Sequence, residues 1–198
     1  MDIFLPLIKA DAAKRLIHAR AADETPDKAK EIFDYDTSKP NFEAWSKGFE
    51  VATNGLSKGN VRVMHTKTVA GKVTDLLFDD ANKSIDVFLK VVDENEWAKV
   101  EAGLYTGVSI GGSYAKKWQD GVNTRYTAMP SEISLVDNPC IPTARFLELQ
   151  KADGLVEQIA LHGRDPDTFA KAWAERPRTF GEAWGSRPLT FGEMIGIR

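Results

Sequence analysis

Apolar residues fall at every second position along Ile85, Val87, Leu89 and Val91, with Asp86, Phe88 and Lys90 between them. That period of two predicts a half-buried strand. Val61 and Val63 alternate about Arg62, and residues 69–78 read as a long strand. Further strands are predicted over 105–118, 125–128 and 132–136, with Asp120-Gly121 as a hairpin turn. Residues 144–149 suit a last strand or a helix start. Near the N-terminus, residues 3–8 and 15–21 read as extended, and 23–40 as a proline-punctuated loop with a short helical turn.

Two stretches switch to the helical period. Phe42, Trp45 and Phe49 fall at i, i+3 and i+7, which predicts a helix over 41–53 with Asn41 as N-cap. Asp93 followed by Glu96 makes a capping-box variant. Trp97 and Val100 give the helix that follows an apolar face, and Gly103 ends it. Short helices among many short strands predict an α+β fold. Tight turns favour antiparallel pairing, and a small, mostly antiparallel β-barrel buries such strands without open edges.

The predicted division is a β-barrel domain over 1–150 and a tail over 151–198 that begins with a helix. The tail repeats. Thr168, Thr179 and Thr190 each open a Thr-Phe unit, eleven residues apart, and Trp173 and Trp184 close the first two. Thr179 with Glu182 and Thr190 with Glu193 form capping boxes, and Pro177 and Pro188 preclude one continuous helix. Such units either pack their aromatics on the domain or dock a partner.

Composition narrows the classes. The chain has 198 residues, 42% hydrophobic and 28% charged, a globular balance. A net charge of -3 and a pI near 5.7 carry no polyanion-binding footprint, so nucleic acid is not the expected partner. The single cysteine, Cys140, forms no intrachain disulfide and no cysteine-based metal cluster. No apolar run reaches the roughly 18 residues of a membrane span, so a soluble, intracellular protein without a membrane partner is expected. No Walker loop, dinucleotide fingerprint or metal-ligand spacing is present, so neither cofactor nor metal is expected.

One stretch carries candidate chemistry: Tyr105-Thr106-Gly107-Val108-Ser109-Ile110-Gly111-Gly112-Ser113. Glycine weakens a strand, so this density has one of two readings. Either the strand is kinked, or the glycines clear space about the Ser109 hydroxyl and expose backbone N–H groups to a carbonyl. The second reading needs a base. Of the three histidines, His18 reads as surface and His162 as a helix C-terminal residue, whereas His65 ends a strand and can face a cleft. Alternation puts Glu132 and Ser134 on one face of their strand and Ile133 and Leu135 on the other. Glu132 is either solvated or the partner of an imidazole N–H.

The ordered blocks Val63-Met64-His65, Ala70-Gly71-Lys72-Val73, Val91-Val92-Asp93, Tyr105 to Gly112, and Glu132-Ile133-Ser134-Leu135-Val136-Asp137-Asn138-Pro139 resemble the tailed-bacteriophage prohead (head-maturation) serine proteases, in their XkdF-like branch. The resemblance spans roughly 62–146. It implies a barrel related to the herpesvirus assemblin protease, with Ser109 as nucleophile, His65 as base and Glu132 as third member. The chain departs from the family at Thr66, where relatives often carry Asp, and at Gly111-Gly112, where many carry a bulky aromatic. Backbone N–H groups at Ile110, Gly111 and Gly112, with Arg145, are the expected oxyanion donors. The substrates implied are phage scaffold and major capsid proteins, cut inside the prohead in the host cytoplasm, and the assemblin relation adds a homodimer. The competing expectation is a catalytically silent structural protein of the phage head or virion, anchored through the aromatic repeats.

Overall fold

A computed structural model describes residues 14–159. Residues 3–8, His162 and the aromatic repeat lie outside the described residues. Within them the order is β1 (Leu16–Asp23), β2 (Glu31–Phe33), α1 (Tyr35–Ala52), β3 (Gly59–Val63), β4 (Val69–Asp79), β5 (Ser84–Val91), α2 (Glu94–Glu101), β6 (Gly107–Asp120), β7 (Asn123–Val136), β8 (Phe146–Gln150) and β9 (Val156–Gln158).

All nine strands join one mixed sheet in the order β2-β7-β3-β4-β5-β1-β8-β9, with β6 on β7. The α+β class is as expected, but the sheet is not closed into a barrel by continuous strand pairing. One antiparallel bridge, Gly107 to Arg145, joins β6 to the residues leading into β8, through Val108 N–H to Ala144 O at 3.0 Å and Phe146 N–H to Thr106 O at 3.2 Å. Pairing is mostly antiparallel, yet β2 and β3 both run parallel to β7. Between them, β7 is met by side chains of α1. Asn41 Nδ2 donates to Ala128 O at 2.8 Å, and Ala128 N–H donates to Ser38 Oγ at 2.9 Å.

Asn41 is therefore no N-cap. Helix α1 starts six residues earlier than expected, capped by Asp34, whose carboxylate accepts from Thr37 N–H at 3.1 Å. Pro40 lies inside the helix. The carbonyl that loses its usual i+4 donor belongs to Asp36, an exposed residue of the first turn. Buried Tyr35, Ser38, Phe42 and Ser46 form the inner stripe, and Trp45 packs on the core from its edge. For α2 the expected cap holds: Asp93 accepts from Glu96 N–H at 3.0 Å, and Gly103 takes the left-handed conformation (φ 70°) just past the end.

The core lies on one face of the sheet. Ile17, Ala19 and Ala21 of β1, Val73 of β4, Ile85, Val87 and Leu89 of β5, and Ile133 and Leu135 of β7 are fully or nearly fully buried, together with Phe33, Phe42 and Phe146. Each large side chain contributes about 1.5–3 kcal/mol. Strand β5 was expected to be half-buried, but Asp86 and Phe88 are buried too. His18 is not at the surface. It is 2% exposed, stacks on Phe88 with ring centroids 4.6 Å apart, and places Nε2 2.9 Å from Asp86 Oδ2. Residues 125–128 and 132–136 belong to one strand, whose register with β6 shifts between Gly111, opposite Glu132, and Gly112, opposite Pro130.

Candidate functional site

Strands β3, β7 and β6 lie side by side, and register decides which side chains meet. Val61, Ile133 and Ile110 form one inward row, and Val63, Leu135 and Val108 the next. The intervening positions share the opposite face. Arg62 pairs with Ser134, which pairs with Ser109, and Glu132 pairs with Gly111. Residues far apart in sequence are thus gathered on one patch of three strands.

His65 reaches this patch from the turn after β3. Met64 and His65 have φ of 48° and 56°, both left-handed. Such non-glycine residues cost on the order of 1–3 kcal/mol each and persist only where the surroundings hold them. Two backbone donors do so here. Met64 N–H donates to Leu135 O at 3.0 Å, and His65 N–H donates to Ser134 Oγ at 3.1 Å. The turn carries the imidazole over β7, where Nδ1 lies 2.7 Å from Glu132 Oε1. An ionised carboxylate only accepts, so Nδ1 is the donor, and the neutral form of the ring with that tautomer presents its lone pair at Nε2.

Glu132 is 4% exposed despite facing away from the core. Oε1 meets His65 and also accepts from Ser134 Oγ at 3.3 Å. Oε2 lies 3.3 Å from Arg62 Nε, close enough for charge compensation but without hydrogen-bond alignment. Space for this carboxylate comes from Gly111. A methyl there would overlap Oε1 and stand 2.5 Å from Cγ and 2.7 Å from Cδ. Gly107 and Gly112 admit backbone in the same way: a methyl on Gly107 would lie 2.9 Å from Arg145 Cα, and one on Gly112 3.0 Å from the Met129 carbonyl carbon. The glycines flanking Ser109 make room for neighbouring groups, which neither expected reading contained.

Ser109 is half-buried, one strand beyond Ser134. His65 and Glu132 are brought into contact, whereas no hydrogen bond joins Ser109 to His65 among the described residues. Val108 N–H points away from β7, towards Ala144 O. Strand alternation therefore aims Ile110 N–H at the same edge, which beside Ser109 has no strand partner among the described residues. Alternation turns Gly111 N–H back towards β7. Arg145 bridges Gly107 through its main chain, while its Nε donates to Pro142 O at 2.9 Å, and no hydrogen bond links it to Ser109. A cleft of about 200 Å³ is lined by Ser109, Val108, Ile110, Tyr114, Tyr126 and Ile141 among others. Burial pushes the Tyr126 phenol up, with Asp27 adding to it. Burial and a hydrogen bond to Asp27 likewise push up the Cys140 thiol on the cleft wall, which makes it a poor thiolate.

Arg62 and Ser134 belong to this patch although neither was expected to have a role there. The signal was there: Arg62 alternates with Val61 and Val63, and Ser134 shares the face of Glu132. Among the described residues no group of three or more His, Cys, Asp or Glu could hold a metal ion, and no helix is long and apolar enough to cross a membrane. No family model, curated protein or solved structure matches the chain.

Proposed function

We propose that this protein is a serine endopeptidase. The observation that carries the reading is the 2.7 Å pairing of His65 Nδ1 with the buried Glu132 carboxylate, on a patch whose next strand bears Ser109. Glu132 fixes the tautomer and stabilises the imidazolium. His65 Nε2 takes the Ser109 hydroxyl proton as Oγ attacks a scissile carbonyl, then returns it to the leaving amine. Ile110 N–H, on the edge beside Ser109 that no described strand pairs, is the best-placed oxyanion donor. The gap between Ser109 and His65 closes on substrate, as catalytic hydrogen bonds often do.

The proposed setting is tailed-phage head maturation, with scaffold and major capsid proteins as substrates inside the prohead. It rests on the ordered sequence blocks, now joined by the adjacency of three of them on β3, β6 and β7. Relation to an assemblin-type barrel and a homodimer belong to the same proposal, and the Gly107 to Arg145 bridge, which joins distant parts of the sheet, favours the former. The absence of a Ser109–His65 hydrogen bond favours a second reading, a silent structural protein of the head. The two readings separate on co-expression of the chain with scaffold and capsid proteins. Cleavage lost in Ser109→Ala supports the peptidase, and cleavage unchanged by that substitution overturns it.

A further inference from the structure

Ser134 is fully buried, and its hydroxyl touches both halves of the His65–Glu132 pair. Oγ accepts from His65 backbone N–H at 3.1 Å and donates to Glu132 Oε1 at 3.3 Å. A hydroxyl has one donor and two acceptor sites, so both bonds form at once. One end holds the left-handed turn that presents the imidazole, and the other holds the carboxylate oxygen the imidazole binds. Register also places Ser134 between Arg62 and Ser109 on the same face.

We propose that Ser134 is a positioning residue whose hydroxyl ties the His65 main chain to the Glu132 carboxylate, so that one atom sets the imidazole's height and rotation over the Ser109 row. The proposal rests on the serine-peptidase reading for its catalytic consequence but not for its geometry. An apolar side chain at 134 would leave the His65 N–H without its acceptor and Oε1 with His65 alone. The left-handed turn would lose one of its two backbone anchors, leaving Met64 N–H to Leu135 O. The imidazole would then sample positions in which Nε2 faces away from Ser109. A misplacement of about 1 Å at a reacting group costs on the order of a hundredfold in rate.

The test uses the full chain carrying Ser134→Ala, with Ser134→Thr as the variant that keeps the hydroxyl. Two readouts are taken: ¹⁵N NMR of the His65 ring, and the rate at which a fluorophosphonate labels Ser109. The expected result is a His65 ring that loses its Nδ1–H pairing in Ser134→Ala, labelling slowed about 10- to 100-fold, and near-parent behaviour of Ser134→Thr in both. An unchanged ring signal in folded Ser134→Ala overturns the proposal. So does labelling at the parent rate. If the parent chain itself is not labelled, the peptidase reading fails and the ring signal alone judges Ser134. Should Ser134→Ala not fold, Ser134→Cys, with a weaker donor and acceptor, is expected to lose the same ring signature, and its retention overturns the proposal.

Discussion

Replacing Gly111 by alanine should destabilise the protein although alanine suits a strand better than glycine. The backbone does not object, since Gly111 is not among the residues of positive φ. On propensity alone the change would stabilise by about 0.5–1 kcal/mol. The added methyl, however, would overlap Glu132 Oε1 and lie 2.5 Å from its Cγ. A free glutamate would swing aside at little cost, but this one is 4% exposed and tied to His65 and Ser134. Moving it forfeits the His65 hydrogen bond, worth about 1–2 kcal/mol once discounted for a half-exposed imidazole. The Ser134 bond adds about 0.5–1.5 kcal/mol. Set against the propensity gain, the net loss is about 1–3 kcal/mol, or a fall in Tm of roughly 3–10 °C for a domain of this size. Urea titration of the parent and Gly111→Ala measures it. Gly48→Ala is the control, because beyond the helix's own backbone no described residue comes within 4 Å of the added carbon, and it should gain up to about 1 kcal/mol. Gly111→Ala as stable as the parent, with the His65 ring still paired, would refute the space argument.

Three more changes test separate links. Glu132→Gln keeps the side-chain volume but loses the charge that orients His65, so substrate cleavage should fall by about 10³-fold or more, and a loss under tenfold removes Glu132 from the mechanism. Asp93→Ala deletes the cap of α2 and should cost about 1 kcal/mol by urea titration, with no effect expected if the cap bond is idle. Glu148 is 4% exposed, its carboxyl is pushed up chiefly by burial, and its Oε2 has no hydrogen-bond partner among the described residues. The folded state therefore disfavours its ionised form at neutral pH, a penalty that fades as pH falls through the raised value towards the ordinary glutamate pKa of about 4.3. Glu148→Gln should raise Tm by about 2–4 °C at pH 7 and by less at pH 4, and a gain equal at both would show that ionisation is not the cause.

What the sequence revealed follows from the range of the forces involved. Strands β3 to β5, helix α2 with its cap, and the β6–β7 hairpin were legible because alternation, capping and turn chemistry act within a few residues. The start of α1 was not, because Pro40 argued against a helix there, while the Asp34 cap and the buried Phe33 and Tyr35, whose weight is tertiary, argued for one. His18 looked like surface because its partners, Asp86 and Phe88, lie on another strand. The site divides in the same way. Faces were readable, so Glu132 and Ser134 were placed together from alternation alone. Pairing was not readable: β3 runs parallel to β7 although β4, β5, α2 and β6 intervene, and no local signal specifies that contact. Once Arg62 faces Ser134, however, the turn after Val63 must carry His65 over the neighbouring residues of β7, and Glu132 is the acceptor it finds there. The left-handed pair Met64 and His65 is then understandable: the chain has to reverse over a strand it has just joined, and neither residue's type foretells it. The flanking glycines around Ser109 show the converse. Their presence was plain in the sequence, but their purpose, to admit Glu132, Arg145 and Met129, emerges only from what lies across the strand.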